Sequence, residues 1–307
     1  MNDRTVVRVR VGEHELELSN LDKVLYPASG FTKGEIIDYY TRVSPVLLPH
    51  LRDRALTRIR YPNGVNGPFF FEKNRPQGTP SWVRLERLPV PGSSRADRET
   101  IDFVVCDDLP TLVWLANLAS LELHTPQWKV GSSGPDLMVV DLDPGPPAGL
   151  AECCEVAVLM RDRLASDGIE AYPKTSGKKG MQLCCPISGR QSSEEVSGYA
   201  KRIAEELERA HGRLVTSKMT KSLRPGKVFI DWSQNAAAKT TVTPYSLRAQ
   251  PTPTASAPVT WDEVEAGHVV AADLTGPAVL DRIAEWGDLL APLLKKGPRL
   301  PNPPRSR

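Results

Sequence analysis

The sequence predicts an α+β fold: a β-α-β-β-α-β middle lobe of the split βαβ, ferredoxin-like kind, joined to a strand-rich N-terminal lobe carrying helices. Three observations predict it. Apolar strands and amphipathic helices alternate regularly over 137–232. The first 130 residues mix short alternating stretches with two helical patterns. The composition is ordinary for a globular chain, with 307 residues, 40% hydrophobic and 25% charged, enough for a substantial core and unlike a disordered chain.

Taken in order, residues 6–18 (VVRVRVGEHELEL) alternate with the period of two of half-buried strands and predict a hairpin. Thr32 and Glu35 have capping-box spacing ahead of Ile36, Ile37, Tyr40 and Val43. They predict a helix to about Leu51, kinked or broken at Ser44-Pro45. Short strands are expected at 56–61 and 69–73 around the turn Pro62-Asn63-Gly64, then a helix over 108–123. The middle lobe reads as strand 137–143, helix 148–166 stopped by Gly168, strand 169–174, turn 176–180, strand 181–187, a helix capped by Ser193 and running to His211, and strand 228–232. In this topology, also used by RNA-recognition folds, the first strand lies between the third and the fourth.

PTPTASAP after Gln250 is a loop, 261–263 starts a short helix, and Pro277 suits the first position of a closing helix to about Leu294. The expected organisation is one domain over 1–294, with an N-terminal lobe (about 1–130), the middle lobe (131–250) and a closing segment (251–294). A basic, Pro-rich, disordered tail is expected over 295–307. No internal repeat is evident.

No apolar run reaches the roughly 18–20 residues of a membrane helix, and MNDRTVVRVR has no apolar signal core. A cytoplasmic chain without membrane partners is therefore expected. The five cysteines, Cys106, Cys153, Cys154, Cys184 and Cys185, include no C-x-x-C; they read as reduced, buried thiols rather than a disulfide or zinc framework. Net charge is only +2, but its distribution is uneven. Arg213, Lys218, Lys221, Arg224, Lys227, Lys239 and Arg248 share their stretch with one acid, Asp231. Basic residues also crowd 52–75 and the tail. Such blocks are either solvated faces or the footprint of a polyanion.

Two constellations carry chemistry. Asp141 and Asp143 lie two apart on a strand, so both point to one face, and Asp231 ends the strand expected next door. Close carboxylates repel unless a cation lies between them, and oxygen ligands suit Mg²⁺ or Mn²⁺. Three such acids suit a two-metal phosphoryl displacement; the plainer reading of D-x-D is a solvated strand end. The second constellation is the turn Thr175-Ser176-Gly177-Lys178-Lys179-Gly180, whose glycines and donors suit an anion, with Arg224, Lys227 and Arg248 flanking Asp231. It is not a Walker A loop, since the spacing fails and no helix follows. Lys33 opens the Thr32 helix, where free amides favour anions, and Lys23 lies just before it. Of Phe69, Phe70 and Phe71, core packing is expected for two, with at least one ring left to stack on a base. His124 lies at the end of the 108–123 helix and carries no signal of its own.

Asp141-Leu142-Asp143, the Ser176-Gly177 turn and Phe229-Ile230-Asp231 in this order resemble the three motifs of archaeo-eukaryotic primase-polymerases. More closely, DKVLYP, TRIRYPNG, FFEK, ELHTPQW, DLDPG, KTSGKKGM, TKSLRPGKVFIDWSQN and KTTVTPYSLR, over about 20–250, resemble the polymerase domain of bacterial ligase D, of non-homologous end joining. The resemblance implies a primase-polymerase fold that adds NTPs or dNTPs to a 3′-hydroxyl at gapped or broken DNA, using Mn²⁺ or Mg²⁺. It implies Asp141, Asp143 and Asp231 as catalytic metal ligands. His124, Ser176, Gly177, Lys179, Gly180, Gln182, Arg224, Gln234 and Arg248 would surround the nucleotide. Lys23 and Lys33 would hold a downstream 5′-phosphate, Phe70 and Phe71 would stack near the base or the DNA, and Arg60, Lys73 and Lys221 would meet DNA.

The family's second motif, S-G-x-x-G-x-H, ends in His where this chain has Gln182. Gln can donate but carries no charge, which implies nucleotide binding weaker by about 1–3 kcal/mol. No K-x-D-G occurs, so a stand-alone polymerase working with a separate ligase and an end-binding protein is expected. Two other readings stay open: a nucleotide-sugar glycosyltransferase, which also uses D-x-D, and a DNA-end-binding scaffold on a polymerase fold.

Overall fold

The structure, a computed structural model, describes residues 6–89 and 100–301. It divides into two compact units, Met1–Thr125 with Val242–Ser256 and Ala272–Gly287, and Pro126–Thr241 with Ala257–Ala271 and Asp288–Arg307.

In the first unit the expected hairpin pairs Val6–Val11 with His14–Ser19. The helix Lys33–Leu51 starts at the expected capping box, Thr32 with Glu35. It is continuous through Pro45, so it is not broken there. Pro45 cannot donate to the Thr41 carbonyl, but the Ser44 hydroxyl does so instead, at 2.8 Å. A mixed-length sheet has the order Ser120–Thr125, Ala55–Arg60, Thr100–Val105, Leu85–Pro89, with Phe70–Glu72 also paired to Ala55–Arg60.

The helix expected over 108–123 is shorter, Leu109–Asn117, capped by the Asp108 carboxylate on the Thr111 amide. Ala119 then takes a left-handed conformation (φ +58°), and Ser120–Thr125 continues as a strand. His124 is therefore a strand residue. Buried tyrosines tie the helix Lys33–Leu51 to the later segments of the unit: Tyr39 donates to the Tyr245 carbonyl, and Tyr40 to the Leu121 carbonyl, both at 2.6 Å. The closing helix, Gly276–Trp286, stops at Gly287 rather than near Leu294.

The second unit contains the expected β-α-β-β-α-β order. Its sheet runs Tyr172–Thr175, Met181–Pro186, Leu137–Pro144, Val228–Asp231, Val215–Thr216, so the first strand does lie between the third and the fourth. The last strand, parallel to Val228–Asp231, was not foreseen. Helices Leu150–Ala165 and Ser193–His211 pack on this sheet. The second is capped by Ser192, not Ser193, in a full capping box with Glu195.

Along Leu137–Pro144, Met138, Val140 and Leu142 are buried on one face, while the other carries Val139, Asp141 and Asp143. Val139 packs with Cys184, Leu290 and Leu293. The tail departs from the disorder expected of it. Leu300 is buried, and its backbone N–H and C=O are both bound by the Gln191 side chain, at 2.7 and 3.2 Å. A buried amide satisfies two backbone groups that water would otherwise need to reach. Residues 302–307 lie outside the described part. All five cysteines are free and buried, as expected, and no helix among the described residues is long and apolar enough to cross a membrane.

Candidate active site

Strand register builds the centre of the second unit. Lys174 lies opposite Gln182, Gln182 opposite Asp141, and Asp141 opposite Asp231, so four residues form one row across four strands. Asp143 lies two residues on, on the same face as Asp141. Burial pushes the Asp141 carboxyl up to about 6; the Gln182 hydrogen bond opposes the rise, and the charges of Asp231 and Asp143 add to it.

Each carboxylate has a partner. Gln182 Nε2 donates to Asp141 Oδ1 at 2.9 Å. Asp143 pairs with Lys179 (2.8 Å) and with Arg224 (3.4 Å). Asp231 accepts from the Ser233 amide at 3.0 Å and pairs with Lys239 at 3.3 Å. Among the described residues no three His, Cys, Asp or Glu side chains close into a metal-ligand group. The donor set nonetheless suits a divalent cation: three oxygen-donor acids on one face, two of them directly opposed and one whose charged form is disfavoured first by burial and then by its neighbours' charge.

Glycine brings the flanking segments in. A side chain at Gly180 would meet the Leu142 carbonyl at 2.4 Å, and one at Gly145 would meet the Arg224 carbonyl at 2.2 Å. Without Cβ atoms, the turn and the basic loop both approach the D-x-D strand. The Ser176 hydroxyl accepts from the Lys178 and Gly180 amides, closing the turn that contains Gly177. Arg224 also stacks on Phe229, 3.8 Å from the ring centre. Gln234 lies half-buried in the helical turn Trp232–Asn235 directly after Asp231. Lys221 is exposed on the same basic loop as Arg224. The structure thus brings Ser176, Gly177, Lys179, Gly180, Gln182, Arg224 and Gln234 to segments that adjoin the three acids.

Gln182 is not open to a ligand. It is buried, donating to Asp141 and accepting from the buried Lys174 ammonium.

The first unit carries the other candidates. His124 and Arg248 meet on the buried carboxylate of Glu122. Lys23 is exposed, donating to Asn63 at 3.1 Å. Lys33 departs from the open lysine expected at the helix start. It is buried, and its ammonium donates to the Ser19 carbonyl, because a buried charge needs acceptors and the hairpin's end supplies one. Arg60 is likewise engaged, with Glu72 and the Leu118 carbonyl, both at 2.8 Å. Lys73 is half-buried. The phenylalanines correct the expected packing: Phe69, Phe70 and Phe71 are all exposed, at 60, 51 and 55%. Two-residue alternation puts side chains on opposite faces, but among the described strands the short Phe70–Glu72 pairs with Ala55–Arg60 alone, and all three rings stay more than half exposed.

Sequence reasoning missed Lys174, Asn235 and Glu122, and it names Lys239 only as part of the basic stretch around Asp231. Asn235 binds both backbone groups of Val139 at 2.8 Å, locking the turn after Asp231 to the D-x-D strand. Glu122 stands two residues before His124, a same-face spacing that was lost because the segment read as helix.

Residues 32–290 match the family described as LigD, primase-polymerase domain. The multifunctional non-homologous end joining protein LigD of Mycolicibacterium smegmatis is 47% identical over 284 residues, which are 91% of this chain and 36% of that protein. The bifunctional LigD of Bacillus subtilis is 36% identical over 89% of this chain and 43% of its own length. The chain therefore spans about two fifths of these relatives. A solved structure, the polymerase domain from Mycobacterium tuberculosis Ligase D in complex with DNA, is 43% identical with a TM-score of 0.85, over 92% of this chain and 99% of that one. The α+β architecture found here is that domain's architecture, and the chain belongs to the LigD primase-polymerase family of nucleotidyltransferases.

Proposed function

We propose that this chain adds NTPs or dNTPs to a primer 3′-hydroxyl at DNA gaps or broken ends, as a polymerase of end joining. The observation that carries the reading is the opposition of Asp141 and Asp231 on neighbouring strands, with Asp143 on the same face and Lys179, Arg224 and Lys239 around them. Asp141, Asp143 and Asp231 would hold the divalent ions, Mn²⁺ or Mg²⁺. When bound, such ions supply activation of the attacking hydroxyl and charge neutralisation on the leaving pyrophosphate. Lys179 and Arg224, freed from Asp143, would donate to the triphosphate, and Ser176 with the amides of its turn would orient it. By family resemblance His124, Gln234 and Arg248 serve the same nucleotide.

The DNA-bound relative supports DNA as the partner. Phe70 and Phe71 offer faces on which bases would stack. The Lys33 amide donates to the Lys23 carbonyl at 2.9 Å, which keeps these two lysines together for a 5′-phosphate that would draw the Lys33 ammonium from Ser19. A ligase, an end-binding protein and a nucleoid location complete the reading.

One observation favours the scaffold alternative: Gln182 is spent on Asp141 and so would not reach a nucleotide. Nucleotide addition on gapped DNA with a recessed 3′-hydroxyl and a downstream 5′-phosphate, in Mn²⁺, separates the two. Templated addition by the wild type that vanishes in Asp141→Ala supports the polymerase. Tight 5′-phosphate-dependent binding without addition supports the scaffold, and activity regained in Gln182→His would then locate the lost step.

A further inference from the structure

Lys174, Gln182 and Asp141 stand directly opposite one another on three adjacent strands of the second unit. The backbone around Lys174 is clamped from both sides. Beyond it the row ends in a bridge to Pro258, with the Thr175 amide donating to the Ala257 carbonyl and the Val259 amide to the Pro173 carbonyl. Lys174 and Gln182 are only 1 and 4% exposed. The Lys174 ammonium donates to Gln182 Oε1, and Gln182 Nε2 donates to Asp141 Oδ1 at 2.9 Å.

An amide side chain can turn over, exchanging its oxygen and its nitrogen, but here both ends forbid it. An ammonium accepts nothing, so the oxygen must face Lys174; a carboxylate donates nothing, so the nitrogen must face Asp141. The bond from Gln182 occupies Oδ1 and leaves Oδ2 as the carboxylate oxygen it does not hold.

We propose that Lys174 is a positioning residue for the divalent ion, acting through Gln182: its ammonium fixes the Gln182 amide, the amide fixes Asp141 by Oδ1, and Oδ2 is presented to the ion. The proposal rests on the reading in which Asp141 binds a divalent ion. The chemistry favours this role over a purely structural one. Carboxylates that ligate metals are themselves hydrogen-bonded, and those partners set the metal affinity. A buried ammonium separated from its counter-ion by a neutral amide stabilises a fold no better than apolar residues of similar volume.

Removing an ammonium near the acids also changes the field there, and that change alone would tighten cation binding. The test therefore compares variants of equal charge: Lys174→Met with Lys174→Gln, and Gln182→Met with wild type. Lys174→Gln keeps an N–H for Gln182 Oε1, and Lys174→Met keeps none. The full chain, without DNA or nucleotide, is titrated with Mn²⁺ at one pH, well below each variant's thermal midpoint, and the free ion is followed by electron paramagnetic resonance. Lys174→Met is expected to bind Mn²⁺ about tenfold more weakly than Lys174→Gln, and Gln182→Met about tenfold more weakly than wild type.

Equal affinity in Lys174→Met and Lys174→Gln would overturn the role of Lys174, even with Gln182→Met weakened. Weakening in Lys174→Met without weakening in Gln182→Met would overturn it as well, since Lys174 would then act by another route. Equal affinity across both pairs, with binding lost in Asp141→Ala, would overturn the whole arm and leave the metal reading standing. Mn²⁺ binding that is absent in the wild type, or unaffected by Asp141→Ala, would overturn both. Should Lys174→Met not fold, Lys174→Val, a good strand former with no donor, makes the same comparison.

Discussion

Gln182 Nε2 donates to Asp141 Oδ1 at 2.9 Å, between residues directly opposed on neighbouring antiparallel strands. The amide occupies the position at which the family carries His, yet its hydrogen bonds run along the sheet to the acid on one side and to the Lys174 ammonium on the other. In this chain that position therefore orients a carboxylate. Replacing Gln182 by Leu, of similar volume, should cost about 1–3 kcal/mol, since buried polar groups lose their partner. Urea unfolding should show this as a lower midpoint at unchanged slope; an unchanged midpoint would mean that the bond contributes nothing.

Asp141 makes a pH prediction. Its carboxyl is raised to about 6 in the folded state from 3.8. The folded state thus holds the proton more tightly than the unfolded chain. Its contribution to stability is full below about pH 4 and is lost as pH rises through about 6. Asp141→Asn should remove that penalty, gaining about 1–2 kcal/mol at pH 7 after allowance for partial exposure, and nothing at pH 4. Denaturant titrations at the two pH values check this, and a gain of equal size at both would refute the assignment. Nucleotide addition should be lost in the same variant.

The exposed phenylalanines separate binding from folding. Phe70→Ala and Phe71→Ala should each change stability by less than about 0.5 kcal/mol, as exposed positions do. If they stack on bases, each should weaken DNA binding by about 1–3 kcal/mol, read by fluorescence anisotropy. Unaltered DNA affinity in both would remove the flap from the DNA site.

Gly180→Ala tests the close approach of the turn to the D-x-D strand. A methyl group 2.4 Å from the Leu142 carbonyl must push backbone against backbone. It should cost about 1–3 kcal/mol and displace Asp141 and Asp143 from their register. Lower thermal stability together with lower nucleotide addition is expected; a fully active, equally stable variant would show that the strand yields.

The second unit was largely legible because its signals are local. The apolar run before Asp141, the capping pattern ahead of 193–211 and the Gly-Lys turn each report on a few neighbouring residues, and the strand order followed from topology. The failures share a cause as well. Leu109–Asn117 and Ser120–Thr125 were merged because Leu, Ala and Glu suit either period, and the break depends on Ala119 adopting a left-handed backbone. The Pro45 break was expected from proline alone, whereas the Ser44 hydroxyl repairs the ladder. Leu300 and its neighbours looked like a disordered tail because nothing nearby in sequence announces Gln191.

The α+β class, the family, the three acids and the turn beside them can be read along the chain, since strand periodicity, motif spacing and charge isolation are local properties. What each side chain touches depends instead on how the chain folds: Gln182 on Asp141, Lys33 on Ser19, and Glu122 between His124 and Arg248. The reason is physical. Desolvation forces every buried polar group to find a partner, and the partner is chosen by which strands and loops the fold brings alongside. Residues 122 and 248 lie far apart in the chain, and the fold makes them neighbours.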